Sequence, residues 1–227
     1  MNSIPQHISV LFAITVCITL GLFFKSARNS KTVIAVLLSW LIIQGWLGLS
    51  GFYTITDTIP PRFLLLIGPP VLLILVLFST KAGKNFIHHL NPKLLTLLHV
   101  VRIPVELVLY ALCVFKAVPE LMTFEGRNFD IISGITAPII YYWGYVKKQL
   151  SVNVLLAWNI VCLALLFNIV VNAVLSAPLP FQQFAFDQPN KAVLYFPFNW
   201  LPSVIVPLVL FSHLVLIKQL VHRSEEK

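Results

Sequence analysis

Seven continuous apolar stretches, each near the ~20 residues that a helix needs to cross a bilayer, follow one another along the chain. They cover about 8–24, 32–53, 63–80, 94–115, 131–146, 152–175 and 198–217. A backbone that leaves water must satisfy its own N–H and C=O groups, so runs of this kind read as membrane-crossing helices. The apolar–polar alternation of a transmembrane β-barrel is missing. Composition points the same way: of 227 residues 58% are hydrophobic and only 11% charged, and mean hydropathy is +0.89. A water-facing surface needs more charge than that, and a disordered chain far fewer apolar groups. The expected fold class is all-α, a polytopic membrane protein with seven transmembrane helices in one integral membrane domain over 1–227.

The connectors orient the bundle. Lys25, Arg28, Lys31, Lys81, Lys84, Lys93, Lys147, Lys148, Lys218, Arg223 and Lys227 fall on one side of the seven-span arrangement, and Arg62, Lys116, Arg127 and Lys191 on the other. The positive-inside rule then places the N-terminus outside and the C-terminus in the cytoplasm. The same rule accounts for the net charge of +8, so the expected partner is the lipid bilayer and not nucleic acid. Residues 1–9, MNSIPQHIS, lack a basic leader, so the first stretch reads as a retained span rather than a signal peptide. Cys17, Cys113 and Cys162 all sit in apolar stretches without metal-ligand or disulfide spacing, as small packing residues do.

Short strings recur between the two halves. Val36-Leu37-Leu38-Ser39-Trp40 resembles Val154-Leu155-Leu156-Ala157-Trp158, and Leu75-Val76-Leu77-Phe78-Ser79 resembles Leu208-Val209-Leu210-Phe211-Ser212. The offset of the second match also aligns Pro69 with Pro202. Spans 1–3 and 5–7 are thus candidates for a 3+1+3 parallel repeat, a device that transporters use. This layout resembles that of the seven-helix sugar porters of the SWEET type. The resemblance is one of layout alone.

Chemistry concentrates on the fourth span. His99, Arg102 and Glu106 share one helical face, and Arg102 and Glu106 are spaced to pair within the helix. Ionisable groups inside a bilayer are costly and usually face a bundle interior. Pro104, between them, removes a backbone donor and bends the helix. Gln44 and Asn168 are the amides expected to join this site, and Asn159 and Asn172 line the same span as Asn168. His213 falls at nearly the depth of His99, so the two are candidate ligands for a metal or a haem. The acidic connector Pro119–Asp130 lies beside the outer end of the charged span, as a solvated interfacial loop or a lid. No nucleotide-binding, zinc-protease or serine-hydrolase motif is present. The expected function is a small transporter or permeation protein for a polar solute. The alternatives are an intramembrane metal or haem redox protein using His99 and His213, and a structural subunit.

Overall fold

Ser30, Thr80, Asn91 and Ser151 each accept a hydrogen bond from a first-turn amide and so start a helix. The computed structural model describes residues 4–225, which are mostly helical with no strand among them. In chain order the helices are α1 (Gln6–Ser26), α2 (Lys31–Leu49), α3 (Leu64–Ser79), α4 (Lys81–His89), α5 (Pro92–Val114), α6 (Ile131–Val146), α7 (Val152–Leu175) and α8 (Leu201–Arg223). Lys227, counted above among the basic residues, lies outside the described residues.

Five of these helices (α1, α2, α5, α7 and α8) are long and apolar enough to cross a membrane, six if α3 and α4 count as one broken span. That is fewer than the seven expected. Sixteen residues of α3 rise only ~24 Å against a ~30 Å hydrocarbon core. Thr80 then caps α4, which turns off at 93° to α3. Its tightness depends on Gly83, where a Cβ would run into the backbone of Leu77. The fifth expected span, α6, is also short, and it ends in a π-helical turn, Tyr141–Val146, just after Pro138.

Hydrogen bonds gather the connectors at two ends. Asn91 N donates to Ser26 O, and Gln219 Nε2 to Ile87 O and Leu90 O, which joins the α1–α2 turn, α4 and the far end of α8. At the opposite end Lys191 N and Ala192 N donate to Ala117 O, and Gln188 Nε2 to Val118 O. The segment 176–200 therefore closes over that end, with Ala192, Val193, Leu194 and Phe198 buried. Helices α5 and α8 are the most buried of the long helices, and α2 the least.

Proline explains how α2 is held despite its exposure. Pro69 cannot donate to Leu65 O at helical spacing, and Gln44 Nε2 of α2 donates there instead, at 3.3 Å. Pro207 likewise has no N–H for Ser203 O, which accepts from Trp40 Nε1 at 2.9 Å. Two more donors come back from segment 196–200: Asn199 Nδ2 to Gln44 O and Trp200 Nε1 to Leu41 O. Gly45 and Gly48 permit this approach, since a Cβ there would press on Trp200 and Asn199. Trp40→Phe is expected to cost about 1–3 kcal/mol by orphaning Ser203 O. Adding Pro207→Ala, which returns a backbone N–H, should recover much of that loss; thermal midpoints of the two variants check it.

The halves do not pack alike. Helix α7 lies along α8, while α2 and α3 face each other across an apolar groove. Pro69 sits within α3, whereas Pro202 sits in the π-helical turn Leu201–Ile205 that opens α8. A repeat of spans 1–3 in spans 5–7 is thus not confirmed by this packing.

Candidate functional site

Helix α5 brings Arg102 to the middle of the bundle. The chain winds as a 3-10 turn over His99–Val101, just ahead of Pro104, and then continues as α-helix from Arg102. The Arg102 guanidinium is buried. Its Nη1 donates to Asp130 Oδ1 at 2.8 Å, and its Nη2 to His213 Nε2 at 3.0 Å. The counter-charge thus comes from Asp130, 28 residues away, and not from Glu106 as the spacing within the helix suggested. The reason lies in the connector before α6. Asn128 Oδ1 accepts from Asp130 N, and Asn128 Nδ2 donates both to Met122 O and to Glu106 Oε1. This folds the end of the acidic loop inward, burying Asn128 and Asp130 while Glu120, Glu125 and Arg127 stay exposed. Glu106 Oε2 and Arg102 Nε are buried and have no partner among the described residues.

His213 continues the network. Its Nε2 accepts from Arg102, so its Nδ1 carries the ring proton and donates to Asn159 Oδ1 at 2.9 Å. Asn159 Nδ2 in turn donates to Leu155 O. His99 stacks on His213, with ring centroids 3.8 Å apart and planes 14° from parallel, and meets Trp158 edge-on. Neither nitrogen of His99 has a hydrogen-bond partner among the described residues.

The two histidines do meet, but the arrangement does not suit a metal. Imidazole lone pairs lie in the ring plane, so face-to-face rings aim them side by side instead of at one ion. His213 also has both nitrogens engaged. A haem iron cannot stand between rings in contact. No group of three His, Cys, Asp or Glu side chains among the described residues is placed to hold a metal.

Two expected members lie elsewhere. Gln44 is buried, but its side chain bonds Leu65 O and accepts from the Tyr53 hydroxyl at 2.6 Å. Asn168 is exposed on α7 and donates to Arg127 O, fastening the acidic loop from outside. Its neighbour Asn172 is buried but turns back on α7 and bonds Asn168. Asn128 and Asp130 are the members that periodicity could not supply, because they sit on a connector. The signal for them was an Asp directly before an apolar run, facing a span with an arginine in it.

A cavity of about 340 Å³ opens beside this cluster. Its walls are apolar side chains of α3, α5, α7 and α8, among them Ile67, Leu109, Leu163 and Leu210. The polar residues that line it are Arg102, Glu106, Asp130 and Asn190. It is a greasy chamber, with the charged cluster buried behind one side of it.

The model of a family described as Domain of unknown function (DUF8737) matches residues 59–221, a stretch that holds every member of the charge cluster. No curated protein and no solved structure matches.

Proposed function

The chain belongs to that family, and on the geometry above we propose that it is an integral membrane protein that binds a small amphiphile, an apolar molecule bearing one hydrogen-bond donor. The cavity carries this reading. Its apolar walls fit a hydrocarbon body better than the polar solute expected from the charged span. Glu106 Oε2 is a buried acceptor beside the cavity without a donor among the described residues. Asp130 and Glu106 set two carboxyl groups around one guanidinium. A proton, a hydroxyl or an ammonium group at Glu106 completes that set. Segments carrying prolines form part of the wall, including Pro202 and Pro207 of α8. Uptake from the membrane followed by release at one end is the transport reading that this supports.

The test is a thermal midpoint in nanodiscs with octylamine, octanol or octanoate. The amine and the alcohol should raise it and the carboxylate should not, because octanoate offers no donor and repels Glu106. Equal shifts for all three, or none, would remove the proposed role of Glu106.

The topology that accompanies this reading has seven crossings, with α3 and α6 spanning despite their length and the N-terminus outside. It rests on the alternation of connectors between two ends and the Lys and Arg bias of one of them. Membrane-impermeant maleimide should label Asp187→Cys from outside and Lys31→Cys only after permeabilisation, both positions being exposed. The reverse pattern would invert the bundle.

A further inference from the structure

We propose that the groove between α2 and α3 is a binding site for one anionic phospholipid, separate from the cavity beside Arg102. The groove has a volume of about 440 Å³. Val36, Leu37, Trp40, Pro70, Leu73 and Leu77 form its long walls, and Thr32 and Phe86 mark the end toward α4. It exists because α2 is fastened to segment 196–203 by hydrogen bonds at Trp40, Leu41 and Gln44 and lies apart from α3 lower down. An open apolar channel along a membrane helix has the shape of an acyl chain.

The basic end identifies the headgroup. Lys31, exposed, directly precedes Thr32. Helix α4 lies across the mouth at 93° to α3, burying Gly83 and Ile87 and exposing Lys81, Lys84, His88 and His89. A short helix turned perpendicular to a span, with a buried apolar side and an exposed basic side, is built for the headgroup level of a bilayer. Lys218 brings a further ammonium group to the same end. Its Nζ rests over the Phe78 ring at 5.3 Å, and Phe78 meets Phe211 of the groove edge-on. No carboxylate stands among these groove and α4 residues. Phosphate oxygens of a phospholipid would therefore meet lysine ammonium groups where its chains enter the groove. A zwitterionic lipid would bring its own cation to the same place and gain less.

The test compares phosphatidylglycerol with phosphatidylcholine on the full-length protein in mixed nanodiscs, reading the lipids retained by native mass spectrometry and the thermal midpoint. The wild type should retain one phosphatidylglycerol in preference, and the preference should weaken with added salt. The triple change Lys31→Ser, Lys84→Ser and Lys218→Ser should reduce the preference by about fivefold for each lysine that contacts the headgroup, while retention of phosphatidylcholine stays unchanged. Leu73→Trp, at a lipid-exposed position that can accept a larger side chain, should block the groove and lower retention of both lipids. Glycerol phosphate, a headgroup without chains, should not shift the midpoint. Equal retention of the two lipids by the wild type would overturn the site. So would a triple variant that keeps the preference, a Leu73→Trp variant that retains lipid like the wild type, or a response to glycerol phosphate alone.

Discussion

Arg102→Met is expected to destabilise the protein by about 3–5 kcal/mol, because it strands the buried Asp130 carboxylate without its counter-charge. Asp130→Leu should cost a similar amount by stranding the guanidinium. Making both changes should cost only about 1–2 kcal/mol: the desolvation of two charges disappears together with their attraction, and what remains is the loss of the donor to His213 Nε2. Thermal and denaturant unfolding in the same detergent would give the coupling between the two positions. A double variant as unstable as the sum of the singles would mean that the two do not act as a pair. The same experiment with Glu106 in place of Asp130 should show much weaker coupling to Arg102, since Glu106 is held by Asn128.

The second large effect separates two histidines that the sequence makes look equivalent. His213→Phe removes the acceptor for Arg102 Nη2 and the donor to Asn159 Oδ1, leaving two buried groups unpaired, one of them charged. A loss of about 2–4 kcal/mol is expected. His99→Phe removes nothing that is hydrogen-bonded, and an aromatic ring keeps the stack on residue 213 and the edge contact with Trp158. It should leave stability unchanged within about 1 kcal/mol or raise it, since two buried polar atoms are replaced by apolar ones. A metal or haem shared by the pair would instead make the two substitutions equally damaging.

This asymmetry marks where sequence reasoning stops. Apolar runs and their caps locate the helices well, because a bilayer leaves the backbone few alternatives. Lengths are harder. The runs at 63–80 and 131–146 look like ordinary spans, but α3 ends where Thr80 caps a new helix, and both segments carry prolines whose consequences depend on neighbours. The donors that meet the carbonyls near Pro69 and Pro207 come from Gln44 and Trp40, more than 20 residues distant in the chain. Helical spacing placed His99, Arg102 and Glu106 on one face, and the depth estimate brought His213 to the same level. Partner identity did not follow, because periodicity describes one helix and Asp130 and Asn128 arrive on a folded connector. Gln44 and Asn168 are equally polar in the sequence. Only the packing of α2 against segment 196–203, and of the acidic loop against α7, draws them away from the cluster.

The proposed binding site stands or falls with Glu106. Glu106→Gln preserves the shape of the side chain and the bond from Asn128, but turns the unpartnered buried oxygen beside the cavity into a donor. Saturation binding of labelled octylamine to purified protein in nanodiscs is the direct measurement. The wild type should show one saturable site. Glu106→Gln should weaken it at least tenfold, and Leu163→Trp, which fills the cavity from its α7 wall, should abolish it, both with melting points close to that of the wild type. Octylamine binding of the same affinity in all three proteins, or none that saturates in the wild type, would contradict the account.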